Sequence, residues 1–240
     1  MSFVLELAGV SKRFGALTVT NDISFAVKAG ETYGILGPNG AGKTTLFNLV
    51  SGDIRPDSGK VSFDGADIGH LPPHRRCVAG IGRSYQVPRP FGGMTVFENL
   101  LVGATFGGAR REREAYDICV EVLARTGLGK KANQLAGSLT LLDRKRLELA
   151  RALATKPRLL LLDEIAGGLT EAETHELIDE IRQVKASGIT IIWIEHVMHA
   201  LLAVADRLLV INFGSKIAEG APTTVLENAE VRRVYLGLEA

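Results

Sequence analysis

The 240-residue chain predicts an α/β fold, a mostly parallel sheet covered by helices on both faces. Three observations predict it. Short uninterrupted aliphatic runs at 159–162, 189–194 and 208–211 have the length and composition of buried strands. Segments with apolar residues at helical spacing, such as 44–50 and 171–187, alternate with strands along the chain. A glycine-rich loop at 37–42 separates a short apolar strand from one of those helices.

The elements follow in order. Residues 3–28 read as short alternating strands, FVLEL and DISFAV, around a turn at KRFGAL, with Asn21-Asp22 and Ala29-Gly30 as turn punctuation. This is an N-terminal antiparallel β subdomain. A strand at 32–36 leads through the glycine-rich loop into the helix at 44–50, and a small β unit follows at 60–67. After Gln86 the composition changes: 87–99, VPRPFGGMTVFEN, carries Pro88, Pro90 and a glycine pair. The spacing predicts an amphipathic helix over 111–127, with Tyr116, Val120 and Leu123 inward and Gly127 as its stop. Another helix is expected over 143–154. Past Pro157 the α/β rhythm returns, with Leu177, Ile178, Ile181 and Val184 as the inward stripe of the helix that Gly188 ends. The domain reading is an α/β core at 1–86 and 155–240, and an inserted helical subdomain at 87–154.

Composition narrows the function. Apolar residues make up 46%, enough for a sizeable core, and 28 Lys plus Arg against 27 Asp plus Glu leave a net charge of +1, which speaks against a nucleic-acid binder. No aliphatic run approaches the roughly 20 residues of a membrane span. The opening MSFVLELAGVSKRF lacks a secretory pattern. Two cysteines, Cys77 and Cys119, exclude a disulfide framework and suit reduced thiols in the cytosol.

Gly37-Pro38-Asn39-Gly40-Ala41-Gly42-Lys43-Thr44 matches G-x-x-x-x-G-K-[ST] in full, with Thr45 next on the helix. Its glycines let backbone N–H groups wrap phosphates, Lys43 reaches the β- and γ-phosphates, and the Thr44 hydroxyl can ligate Mg²⁺. Asp163 ends the run 159–162, where open α/β sheets bind ligands, and is placed to hold Mg²⁺; Glu164 is placed to polarise an attacking water. His196, after the strand 189–194, could donate to a γ-phosphate or be an ordinary polar residue. Gln86 is open in the same way, between a role on Mg²⁺ or water and none.

Taken together, Phe14, GPNGAGKT, Gln86, LLLLDE and His196 resemble, in order and setting, an ATP-binding cassette (ABC) ATPase over essentially the whole chain. The segments GRSYQVPRPFGGMTVFENLLVG and EHVMHALLAVADRLLVINFGSKIAEG and the tail AEVRRVYLG are similar to the ATP-binding subunits of branched-chain amino acid importers. The resemblance implies a RecA-like core working as a head-to-tail nucleotide sandwich dimer, a homodimer or a heterodimer with a related ATPase subunit. It implies ATP and Mg²⁺, adenine stacked on Phe14, Gln86 on Mg²⁺ and His196 as the switch histidine. It further implies integral membrane permease subunits docking on 87–99, no nucleic-acid partner, and a peripheral location on the cytoplasmic face of the membrane. The alternatives are a soluble ABC ATPase outside transport and a weakly hydrolysing nucleotide-binding module.

The chain departs from the family pattern at its signature, which falls on Leu139-Thr140-Leu141-Leu142-Asp143. Thr140 keeps a hydroxyl for the opposite nucleotide, while Leu142 and Asp143 replace Gly and Gln. Thr140 and Asp143 have capping-box spacing, so Thr140 should cap the helix and Asp143 should reach back to its N–H, with Arg144, Lys145 and Arg146 compensating the charge. Thr170 stands where many relatives carry Asp. His70, His74 and Cys77 lack completing metal ligands and read as loop residues, and 110–114, RRERE, as a solvated helix start.

Overall fold

The computed structural model describes residues 3–236, with side chains to 234. The end of the AEVRRVYLG tail lies outside the described residues. In chain order the elements are β1 (Phe3–Phe14), β2 (Leu17–Lys28), β3 (Thr32–Leu36), α1 (Lys43–Ser51), β4 (Ser58–Phe63), β5 (Ala66–Asp67), α2 (Pro73–Ala79) and β6 (Ile81–Arg83). Next come α3 (Val96–Val102), a π turn at Gly103–Gly107, α4 (Glu112–Arg125), 3-10 turns at Gly129–Lys131 and Ala136–Ser138, α5 (Leu141–Ala154), β7 (Leu159–Asp163) and α6 (Glu171–Ala186). The chain continues through β8 (Thr190–Ile194), α7 (Met198–Leu202), β9 (Arg207–Asn212), β10 (Ser215–Gly220), α8 (Pro222–Glu227) and α9 (Ala229–Leu236).

The chain divides into two compact units, 1–73 with 190–240, and 74–189. The sequence put its boundaries instead at 86/87 and 154/155; the β6 and β7 strands group with the helices between them.

The first unit contains an antiparallel sheet in the order β2-β1-β4-β5. Its first two strands are longer than the alternation suggested, because Phe14 still pairs with Leu17 and only Gly15-Ala16 is left to turn. Gly15 sits at φ 59, a conformation open to glycine. The same unit holds the order β10-β9-β3-β8. There β3 lies parallel to β8 on one side and to β9 on the other, with Gly34 opposite Trp193 and Leu208. β3 and β8 are buried along their whole length, which is why they read as continuous apolar runs rather than alternating ones.

In the second unit β6 pairs in parallel with β7, Ile81 opposite Leu159 and Arg83 opposite Leu161. α6 buries Leu177, Ile178, Ile181 and Val184, as its spacing predicts. α4 corrects the sequence reading. Tyr116 and Val120 are exposed, and the buried stripe is Ala115, Ile118, Cys119, Val122 and Leu123. Small Ala115 and Cys119 allow close helix packing on that face, and apolar size misjudged it. His74 and Cys77 lie on α2 rather than in a loop. Pro73 opens that helix with its φ preset, and the side chain of Arg76 is buried. No helix among the described residues is long and apolar enough to cross a membrane.

Candidate nucleotide site

The phosphate loop belongs to the first unit and leaves the carboxyl end of β3. Gly40 and Gly42 take φ 81 and 101, where a side chain is strained. A Cβ on Gly42 would also meet the Val19 carbonyl at 2.4 Å, and one on Gly37 the Ile211 carbonyl at 2.5 Å. The loop is thus packed against strands on two sides. Asn39 and Gly40 are exposed, Pro38 is half-buried and Ala41 is buried. The Ala41 carbonyl accepts from Gly214 N–H at 3.0 Å, so the β9–β10 turn braces the loop from outside. Gly42 caps α1 without any side-chain hydrogen bond, leaving the amino end of a nine-residue helix to an anion. The Lys43 ammonium donates to the Gly37 and Pro38 carbonyls at 2.6 and 3.1 Å and is buried within the loop. Thr44 is exposed and Thr45 half-buried.

Two further predicted residues lie in this unit. Phe14 ends β1 half-exposed, with the Lys12 ammonium 5.6 Å from its ring centroid. His196 follows β8 with its side chain largely exposed, and its Nδ1 lies 3.3 Å from the Glu195 carboxylate. Sequence reasoning passed over Glu195. It is buried and accepts from the backbone N–H groups of His196 and Val197 at 2.9 and 3.2 Å, which fixes the histidine's backbone. Its position at the end of a buried strand, like that of Asp163, was the signal.

The second unit brings Asp163, Glu164 and Gln86 together. β7 delivers Asp163 buried at its carboxyl end, where Arg83 of β6 donates at 3.1 Å. Glu164 then turns to φ 45, the left-handed region that non-glycine residues rarely enter. Its carboxylate accepts from the Gln86 amide nitrogen at 2.6 Å. The Lys145 ammonium, buried on α5, donates to the carbonyls of Gln86 and Glu164 at 3.1 and 3.4 Å. Arg83 and Lys145 were both missed as supports of this cluster; Arg83 stands in the segment before Gln86 and Lys145 after the signature, with no spacing that announces their partners.

The signature segment differs from its sequence reading. Thr140 does cap α5, accepting from Asp143 N–H at 3.3 Å. Asp143, however, does not reach the Thr140 backbone N–H. Its carboxylate accepts a hydrogen bond from the Thr140 hydroxyl at 2.8 Å and pairs with Lys131. The reason is side-chain length. The full capping boxes here, Thr95/Glu98 on α3 and Thr170/Glu173 on α6, both use glutamate, which is one methylene longer. The charge compensation is also redistributed. Of the three basic residues expected to supply it, only Arg146 faces Asp143, at 3.8 Å; Arg144 donates to the Gly137 carbonyl, and Lys131 was not foreseen. Leu142 is buried, so its side chain does not crowd the exposed face of the turn. Burial pushes the Asp143 carboxyl upward, but hydrogen bonds from Lys131 and Thr140 and the nearby cations outweigh it and hold the group below its ordinary value.

The Thr44 hydroxyl in the first unit, and the Asp163 carboxylate and Gln86 side-chain oxygen in the second, are each hard oxygen donors of the kind magnesium takes. Among the described residues no group of three or more His, Cys, Asp or Glu could by itself hold a metal.

A family model described as ABC transporter matches residues 20–167. The chain belongs to the ABC transporter family. A second model, the branched-chain amino acid ATP-binding cassette transporter, matches residues 215–240 of this cassette. The cassette is 36% identical to the high-affinity branched-chain amino acid transport ATP-binding protein BraF of Pseudomonas aeruginosa, over 98% of both chains. It is 37% identical to LivG, of the same description, in Salmonella typhimurium, again over 98% of both. A probable LivG of Archaeoglobus fulgidus is 34% identical over 98% of the cassette and 96% of that protein. Among solved structures, a nucleotide-free ATP-binding cassette from an ABC transporter superposes with TM-score 0.90 at 31% identity, covering 99% of this chain and all of that one. An ADP-bound cassette of an ABC transporter matches equally, with TM-score 0.90. The chain is an ATP-binding, ATP-hydrolysing member of this family.

Proposed function

We propose that this cassette hydrolyses MgATP to drive uptake of branched-chain amino acids through separate integral membrane permease subunits. The observation that carries the ATPase reading is the phosphate loop, with the Lys43 ammonium on the loop carbonyls of Gly37 and Pro38 and no side chain capping the amino end of α1. Family membership and the branched-chain relatives support the transported class. Because those relatives match along nearly their whole length, a soluble ABC ATPase outside transport is the weaker reading.

The roles we assign follow from each group's chemistry. Lys43 exchanges its two carbonyl acceptors for β- and γ-phosphate oxygens, and the N–H groups at the start of α1 wrap the phosphates. Phe14 offers an open ring face to adenine. Thr44, Asp163 and Gln86 would hold Mg²⁺ through their oxygens, and the ion would supply positive charge against that developing on the phosphates. Glu164 exchanges the Gln86 amide for the attacking water and orients it. His196 donates to the γ-phosphate from its braced turn, and the Thr140 segment serves the nucleotide of the opposite subunit. The working form is a dimer, of two copies or of this chain with a related ATPase subunit. The helical part at 87–154 presents exposed Val87 and Phe91 to the permease, on the cytoplasmic face of the membrane.

Lys43→Ala tests the reading. It should abolish nucleotide binding by calorimetry and ATP hydrolysis in the assembled transporter; unchanged affinity and turnover would overturn it. Leucine uptake by cells carrying that variant should fall to the level of cells lacking the chain.

A further inference from the structure

Asp143 is the most conspicuous departure from the family signature, a carboxylate in a segment expected to face a triphosphate. The structure removes the apparent conflict. The residue is buried, only 3% exposed, and both carboxylate oxygens are engaged. One accepts from the Thr140 hydroxyl and the Lys131 ammonium; the other lies 3.8 Å from Arg146. Arg146 continues the chain of charge onto α6, with Nε on Glu180 at 2.6 Å and Nη2 on Glu176 at 2.8 Å. Asp143 therefore links three pieces of backbone: the turn at Gly129–Lys131, the amino end of α5 and the flank of α6. α6 itself starts at Thr170, the other position where this chain departs from many relatives, and Thr170 is fixed there by its capping box. The Thr140 rotamer is set from both sides, since its hydroxyl accepts from Asp143 N–H and donates to the Asp143 carboxylate.

We propose that Asp143, together with Lys131, is a positioning pair for the opposite subunit's nucleotide. By ion pairing, the two hold the Thr140 turn in the conformation that a glycine-rich turn supplies in other members. The inference rests on the reading of the Thr140 segment given above. Its consequence runs against simple sequence repair. Asp143→Gln, which restores the commoner residue, strips Lys131 and Arg146 of their shared carboxylate.

The test compares Lys131→Met, Asp143→Asn, the double variant and Lys131→Arg in the assembled transporter. Lys131 is partly exposed, so its replacement leaves the core intact even if Asp143→Asn folds poorly. Each single variant should raise KM for ATP about tenfold with kcat changed less than about threefold, because the misplaced turn weakens the ATP-bound closed form. The double variant should be no worse than Asp143→Asn alone, since that replacement already removes the pair. Lys131→Arg should restore KM. Affinity of the isolated full-length chain for MgADP should stay within about twofold, as its own phosphate loop is untouched. Unchanged KM in Lys131→Met overturns the inference, as does a loss of kcat alone tracking a fall in Tm. Additive effects in the double variant overturn it too. Lys43→Ala in the same transporter separates the two levels: if that variant still turns over, the reading beneath the inference has failed, and the inference with it.

Discussion

Glu164 carries two properties at once: it is the residue assigned to the attacking water, and it sits at φ 45. A non-glycine residue in this region costs about 1–2 kcal/mol, and such strain persists only where the surroundings hold it. Asp163 on the strand before it and Lys145 on the carbonyl of Glu164 itself supply that hold. Two expectations follow. Glu164→Gln keeps the shape of the side chain and removes the carboxylate, so ATP should stay bound unhydrolysed and a stable dimer should appear with MgATP on size exclusion. A Gln variant hydrolysing at the parent rate excludes Glu164 from the chemistry. Glu164→Gly should be more stable than Glu164→Ala by about 1 kcal/mol in chemical denaturation, although both are inactive, because only glycine releases the backbone strain. Phe14→Ala should weaken ATP binding by about 1–3 kcal/mol by calorimetry if the ring stacks on adenine.

At the scale of elements, three helices begin with Thr at the cap and an acid three residues on, and the length of that acid sorts them. Glu98 and Glu173 reach back and complete their boxes; Asp143 turns to Lys131. Thr170→Ala and Thr140→Ala should each cost about 0.5–2 kcal/mol by denaturant titration. Asp143→Gln should cost at least as much as either cap, about 1–3 kcal/mol, since it forces a longer side chain into a buried position and takes the carboxylate from the Thr140 hydroxyl and the Lys131 ammonium. Were Asp143 only a cap, this replacement would change stability little; its contacts to Lys131 and Arg146 make the cost larger. The pair also has an acid signature. The Asp143 carboxyl is held below its ordinary value despite burial, so it binds fewer protons folded than unfolded. Its contribution is fully present above the unfolded carboxylate range and is lost as pH falls through the lowered folded value. The Tm difference between the parent and Asp143→Asn should therefore shrink between pH 6 and pH 3; a constant difference excludes the linkage.

For the molecule as a whole, the two cysteines give a probe of global opening. Burial pushes the Cys119 thiol up to about 11 and raises Cys77 as well. Only the thiolate reacts, so neither should be modified appreciably at neutral pH in the folded protein. Cys119 sits in the stripe of α4 that faces the other helices of its unit, and its alkylation should follow the unfolding transition measured by circular dichroism. Labelling of Cys119 well before that transition would reveal local opening of α4. A cavity at Leu160, fully buried in β7 on the strand that ends in Asp163, should cost about 2–5 kcal/mol as Leu160→Ala and lower ATP turnover by loosening Asp163.

The sequence by itself determined whatever depends on local pattern and close chemical spacing. The phosphate loop, the strands β3, β7 and β8 and the stripe of α6 were legible because a buried strand is a run of aliphatic residues, and a loop around phosphate needs its glycines at fixed positions. Asp163 and Glu164 were legible because they end such a strand. The tertiary structure decided what depends on partners distant in sequence. Arg83 meets Asp163 across 80 residues, Lys145 reaches Gln86 across 59, and Lys131 finds Asp143 from a neighbouring turn, with no periodicity to announce any of them. It also decided which face of α4 is buried, because close helix packing selects small Ala115 and Cys119 over large Tyr116 and Val120. A capping pattern states that a helix starts; the length of one side chain and the cation that happens to lie near it decide where the carboxylate goes.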